Sequence, residues 1–451
     1  MIKHISPNTL VIGMRHVALA SALCCASLAH AQSGTSVTLY GLADVGITST
    51  SGLKAGTVTQ VASGIMEGSR WGMKGSEDLG GGYKAIFTLE ARVELDTGAS
   101  SNRPISGTQL PDRLTTVTGL NQANPSSPLS TVNPVVAALV AGGASSKGLG
   151  TNLGVNLTNN VFDRQAFMGL ITPFGAVLAG RMYTPAFETN SMYDIMQTQS
   201  GLAAGQIVAY PAALEIRNSN ALAYRFVKEG VSGSLMYAPG EVAGNSSAGR
   251  LLGLNMNYKT NTFSVGLGYN TKNNENGDKS LTSTVLGASM NVSSSSTIST
   301  MAIKITDDNP SGLTGVGGLL LAGAGITSST PGYSTVYAPA GLAVENAYKN
   351  ALKQDGTLFH VGYRYITGPS TISVAYTKFN DQRAYDADVS SYGAAYTYAL
   401  SKRTDLNAVF VHYDNKNTAQ VAPGGNGFIG GYTASAGTDS NAVQLGIRHR
   451  F

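Results

Sequence analysis

The stretch Asn441–Phe451, NAVQLGIRHRF, decides the fold. Val443, Leu445, Ile447, His449 and Phe451 fall on one face, and Gln444, Gly446, Arg448 and Arg450 on the other. A period of two is that of a β-strand with one apolar and one polar side. An apolar strand with an open edge invites aggregation in water. It is accommodated when the edge pairs within the same chain and the apolar face meets lipid. Ser36–Ile47 offers the partner, with Val37, Leu39, Gly41, Ala43 and Val45 on one face. Joining first and last strands closes a barrel, with Phe451 at the seam as closure and insertion signal. The plain alternative is the last strand of a soluble sandwich.

Composition favours the barrel. Of 451 residues only 12% are charged, against about 25% in an average soluble protein. Mean hydropathy is +0.01, yet no run of eighteen apolar residues supplies a transmembrane helix. A wall that alternates apolar and polar residues satisfies both facts. The 55 glycines suit tight turns, and the 21 tyrosines suit an interfacial girdle.

The chain opens like an export signal. Lys3 and Arg15 precede the apolar run Val17–Leu28, and Ala29-His30-Ala31 has the form of a cleavage site. We expect residues 1–31 to be removed, leaving 32–451 as one barrel domain. Cys24 and Cys25 both lie in the leader, so the mature chain has no disulfide. Without Lys3 and Arg15, 28 basic residues face 26 acidic ones, a net charge near +2. That balance argues against a nucleic-acid partner.

Sixteen alternating stretches recur, beginning with 35–47, 65–75 and 82–95 and ending with 440–451. Short connections such as Glu77–Gly81, Thr172–Phe174 and Leu400–Arg403 alternate with long ones. The long series is Thr48–Gly64, Asp96–Asn160, Thr184–Asn218, Gly240–Ala248, Asp307–Asp355 and Asn415–Asp439. Segregation of short turns from long loops is the pattern of an outer-membrane barrel. The fold class is therefore all-β, a transmembrane antiparallel barrel. Loops Asp96–Asn160 and Asp307–Asp355 read as irregular, apart from a short helix at Gly341–Lys353.

No catalytic constellation appears. There is no G-x-S-x-G elbow, and His360, His412 and His449 stand on separate strands without metal-ligand spacing. Gly80-Gly81-Gly82 reads as a tight turn. An enzyme, a metal and a cofactor are not expected.

Particular stretches carry a family resemblance. VTLYGLADVG (37–46), GSRWGMKGSEDLGGGYKAIFTLE (68–90), FDRQAFMGL (162–170), FGAVLAGR (174–181), ALSKRTDL (399–406) and GIRHRF (446–451) resemble the general porins of β-proteobacterial outer membranes. The resemblance spans nearly the whole mature chain. It implies a sixteen-stranded barrel delivered by the barrel assembly machinery and assembled as a homotrimer. It also implies passive diffusion of small hydrophilic solutes, with the third loop folded into the pore.

Arg70 has lumen parity, opposite Trp71 and Met73, and Arg164 precedes a strand whose Phe167 and Gly169 face out. Arg217 ends the third long loop. At matched positions, anion-preferring porins carry a basic ladder. Glu188, Asp194 and Glu215 on the third loop and Glu90 on the wall are expected to face it. Such opposition sets up a transverse field that sorts solutes by charge. Arg92 and Arg181 are further candidates. Two other readings remain open. One is a substrate-specific channel with Tyr183, Tyr193 and Phe187 as an aromatic slide. The other is a barrel whose loops serve adhesion.

Overall fold

The computed structural model describes residues 35–107, 110–123, 129, 133–145, 155–207 and 215–451. The expected leader at 1–31 lies outside them. Seventeen antiparallel strand segments form one closed sheet: β1 (Ser36–Leu53), β2 (Gly56–Ser63), β3 (Arg70–Gly80), β4 (Tyr83–Arg92), β5 (Gln165–Thr172), β6 (Gly175–Tyr183), β7 (Arg217–Lys228), β8 (Val231–Ala238), β9 (Leu251–Lys259), β10 (Phe263–Asn273), β11 (Lys279–Asn291), β12 (Ser296–Asp307), β13 (Gln354–Thr367), β14 (Ser370–Asp381), β15 (Val389–Ala399), β16 (Thr404–Asn415) and β17 (Ser440–Arg450). β17 pairs with β1, Arg450 opposite Leu42 and Ala442 opposite Thr50. Phe451 and Gly41 then exchange backbone hydrogen bonds of 3.1 Å in both directions.

Seventeen segments make sixteen staves. β2 pairs with the upper half of β1, and β3 with its lower half. The two are one stave interrupted at residues 64–69. The interruption is built around Asp44, a buried carboxylate on β1. Its oxygens accept the backbone N–H groups of Ile65 (3.0 Å), Met66 (3.0 Å) and Glu67 (2.8 Å). Three donors that left the ladder are thereby satisfied, as buried backbone groups require.

The expectation of a first long loop at Thr48–Gly64 is corrected. Its residues are strand, and the connection is the turn at Lys54 and Ala55. Ser, Thr and Gly made the stretch look like a loop, but Val58 and the threonines alternate against β1 and extend the wall upward.

The wall is apolar outside and polar inside. On β13, exposed Phe359, Val361 and Tyr363 alternate with buried Leu358, His360 and Gly362. Exposed Tyr83, Phe174, Tyr258, Phe263, Tyr398 and Phe451 ring the short-turn end. This is the lipid-facing band and aromatic girdle of a membrane barrel. Among the described residues no helix is long and apolar enough to cross a membrane.

The two longest loops are more ordered than their composition suggested. Loop 2 (Asp96–Asn160) contributes helices at Asp112–Thr115, Val117–Ala123 and Pro134–Ser145, and loop 6 (Asp307–Asp355), the sixth counting every loop at this end, contributes Val316–Gly323 and Ala338–Leu352. Leu114, Leu120, Leu139, Val344, Tyr348 and Leu352 share one buried apolar cluster. The ring of Tyr385 in loop 7 (382–388) meets the guanidinium groups of both Arg113 (5.2 Å) and Arg383 (4.3 Å). Asp112 pairs with Lys54 at 3.3 Å and accepts the Ala436 N–H from loop 8 (416–439). These loops thus form a single packed cap on the loop end of the barrel.

Candidate functional site

The third loop, residues 184–216, leaves β6 and crosses the lumen. Thr184 precedes helix Pro185–Tyr193, with Pro185 in its first turn, where a missing N–H costs nothing. The helix lies against β9–β12. Gly266, Gly268 and Gly287 face it from the wall, where a Cβ would strike Tyr193, Thr189 or Ala186. A berth without side chains lets the helix sit flat against the far wall.

Beyond the helix the loop is fastened all round. The Asp194 carboxylate accepts the N–H groups of Met196 (2.9 Å), Thr198 (3.0 Å) and Ala204 (3.3 Å). Ile195 N–H donates to His360 Nε2 at 3.2 Å, so that nitrogen carries no proton and Nδ1 donates to Thr377. The Tyr413 hydroxyl donates to Gly201 O at 2.7 Å, and Ser200 N–H to Met66 O at 3.0 Å.

Opposite the helix is a cavity of about 600 Å³. Arg70, Arg92, Arg164 and Arg217 line it, with Glu67 and Glu188 the carboxylates among the described lining residues. The three expected arginines are therefore brought together. Tyr183 is their hub: Arg217 Nη2 donates to its hydroxyl at 3.0 Å and Arg164 Nη2 at 3.3 Å. The Arg217 guanidinium also covers the Tyr183 ring at 4.6 Å.

The acids are arranged otherwise than expected. Glu90 does not face the arginines across a gap. It lies behind them on the same wall, 2.8 Å from Arg164 and 3.6 Å from Arg70. The register explains this, because Glu90 on β4 is opposite Gln165 on β5, next to Arg164. Asp194 is fully buried as a fastening of the loop and does not line the cavity. Glu215 pairs with Lys272 at 2.7 Å. Glu188 does line the cavity but is ion-paired to Arg225 and accepts from Asn255 at 3.1 Å. Burial pushes the Glu188 carboxyl above its ordinary range, and Arg225 opposes that rise. Arg92 is held by Glu94 at 3.0 Å and Asp163 at 3.4 Å. Arg181 turns to Asp163 O and Ser219. Tyr193 is buried against the glycine berth, away from the cavity. Among the described residues, Arg217 is the cavity arginine with no carboxylate within 4.0 Å.

Sequence reasoning missed the eighth loop. Its Gly-rich tip enters the barrel, and Asn426, Phe428 and Ile429 complete the cavity lining. Gly427 O accepts from Arg92 Nη1 (2.8 Å) and Asn102 Nδ2 (2.7 Å), and Gly427 N–H donates to Gly64 O at 2.9 Å. A Cβ on Gly427 would meet Gly64 Cα at 2.8 Å, so only glycine allows this approach. The run GGNGFIGG (424–431) was the available signal. Among the described residues no group of three or more His, Cys, Asp or Glu is placed to hold a metal.

A closed sixteen-stave barrel, apolar outside and lined within by charge, is a membrane-spanning β-barrel with a polar lumen. A family model described as Gram-negative porin matches residues 17–418, and the chain belongs to that family, whose members are outer-membrane proteins. An outer membrane porin of Bordetella pertussis is 36% identical over 102 residues, 20% of this chain and 26% of that protein. The major outer membrane protein P.IB of Neisseria gonorrhoeae is 26% identical over 235 residues, 50% of this chain and 49% of that one. The chain thus spans a quarter to a half of the curated relatives it matches. Among solved structures, the anion-selective porin from Comamonas acidovorans shares the fold at a TM-score of 0.63 and 20% identity, over 92% of this chain and 100% of that one. The outer-membrane protein OmpT of Vibrio cholerae aligns at a TM-score of 0.55 and 12% identity, over 92% and 98%.

Proposed function

We propose that this barrel is an outer-membrane channel for passive diffusion of small hydrophilic solutes and ions, with a modest preference for anions. The supporting observation is the lining of the lumenal cavity, where four arginines stand against two carboxylates among the described residues. Glu188 and Glu215 are neutralised by Arg225 and Lys272, and Asp194 is buried. Glu67 and Glu90 compensate part of the charge of Arg70 and Arg164, so the field at the passage is set chiefly by Arg70, Arg164 and Arg217, of which Arg217 is the least compensated. At physiological salt, charges beyond about 8 Å are largely screened, so these near charges outweigh the small net charge of the whole chain. The test is the zero-current potential of purified channels in a planar bilayer under a KCl gradient. Wild type should prefer chloride. Arg70→Ala, Arg164→Ala and Arg217→Ala together should move the potential towards cation preference, more so at low salt. An unchanged potential would place selectivity elsewhere.

The same reading includes a cleaved leader at 1–31, a homotrimer, and Phe451 as a closure and insertion signal that the assembly machinery reads. The family and fold are those of channels, and we assign the chain no catalytic role.

A further inference from the structure

Resting on the anion-channel reading, we propose that the lumenal cavity is a subsite for small aromatic carboxylates. Its lining has two halves that such a ligand would match together. The first half is cationic. Arg217 has no carboxylate within 4.0 Å among the described residues, and its Nε is buried without a hydrogen-bond partner there. Arg164, beside it across Tyr183, shares its charge with Glu90. A guanidinium presents a planar fork of donors that matches the two oxygens of a carboxylate.

The second half is aromatic and adjoins the first. Tyr183 and Phe187 are stacked, with ring centroids 5.3 Å apart and planes at 22°. Phe187 projects from the third-loop helix and is half-buried, so part of its ring surface remains open to the cavity. Phe428 from the eighth loop lines the same cavity. The volume of about 600 Å³ is several times the roughly 150 Å³ that houses a benzene ring in a protein interior. Room is left for water and for continued passage.

Chloride or acetate can use only the cationic half. Benzoate can place its carboxylate at Arg217 and its ring beside Phe187, removing apolar surface from water. A solute that gains from both halves dwells longer and obstructs the small ions that share the route.

The experiment adds sodium benzoate or sodium acetate to wild-type channels conducting KCl in a planar bilayer. Benzoate should reduce the conductance saturably, with half-block at a concentration at least tenfold below that of acetate. Phe187→Ala should bring that ratio close to one, whereas Phe187→Tyr should retain it. The wild-type comparison needs no variant, so a variant that fails to fold does not protect the proposal. If wild type prefers chloride but benzoate blocks no better than acetate, the subsite is refuted and the diffusion channel stands. If Phe187→Ala folds and conducts yet keeps the tenfold ratio, the ring is not part of the subsite and the proposal falls. If wild type shows no preference for chloride, the underlying reading fails first, and the subsite with it.

Discussion

Arg217 lies over the ring of Tyr183, its guanidinium carbon 4.6 Å from the ring centroid, while its Nη2 donates to the hydroxyl of the same side chain at 3.0 Å. The ring supplies a cation–π surface and the hydroxyl fixes the direction of the fork. Arg217→Ala should therefore remove a positioned charge. A unit charge at ~6 Å in a watery passage attracts chloride by about 0.7 kcal/mol and repels potassium by as much, so its loss should lower the chloride-to-potassium permeability ratio roughly tenfold. Tyr183→Phe keeps the ring but removes the acceptor shared by Arg164 and Arg217, so its shift should be smaller. Zero-current potentials at low salt measure both.

Asp44 holds the interrupted stave together. Asp44→Ala would leave the N–H groups of Ile65, Met66 and Glu67 without their acceptor. Each buried orphan costs about 1–3 kcal/mol, so a loss of several kcal/mol is expected before water enters. Asp44→Asn keeps one oxygen and should lose less. Guanidinium unfolding followed by tryptophan fluorescence of Trp71 compares the two. Equal stability of wild type and Asp44→Ala would contradict the assigned role.

The closing seam depends on a large ring meeting an absent side chain. A Cβ on Gly41 would enter the ring of Phe451. Gly41→Val and Phe451→Ala should each reduce the heat-modifiable folded form in outer membranes, the first by collision and the second by loss of cover. The expected loss is severalfold by gel shift.

Glu275, in loop 5 (274–278), tests the cap by pH. Burial alone would raise its pKa, but the N–H groups of Gly312 and Thr314 overcome that and hold it at about 2. A depressed pKa means the carboxylate favours the folded form at pH above its ordinary 4.5. That contribution falls away as pH drops from 4.5 towards about 2. The protection of the Gly312 and Thr314 amides, measured by hydrogen exchange relative to the intrinsic rate at each pH, should therefore fall over that window. Glu275→Gln should exchange faster at neutral pH and lose most of the dependence.

The sixteen staves were legible because alternation and turn spacing are local properties. NAVQLGIRHRF carries its two faces in its own letters, and Arg448 does point inward to Asp405 at 3.0 Å. The gathering of Arg70, Arg164 and Arg217 was legible through parity and resemblance. Which acid meets which base was not. Glu90 meets Arg164 because β4 and β5 pair in one register, and register across a 74-residue separation leaves no local mark. The interrupted stave was hidden for a related reason. Asp44 and Ile65 are joined by a hydrogen bond, not by any periodicity. The eighth loop left a clue in its glycines, but glycine runs also mark mobile turns, and composition alone does not separate the two.

The packed cap carries a consequence for how this surface changes through descent. Loops on a barrel rim are ordinarily free to vary one by one. Here Leu114, Tyr348 and Tyr385 come from three different loops yet are joined by direct contacts, through Tyr348 to Leu114 O and through Arg113 to the Tyr385 ring. A substitution in one loop that alters one of these contacts disturbs the seating of the others. Tolerated changes at this surface should therefore come as linked sets spread over loops 2, 6 and 7, and the viable variants should be fewer than the exposed area suggests.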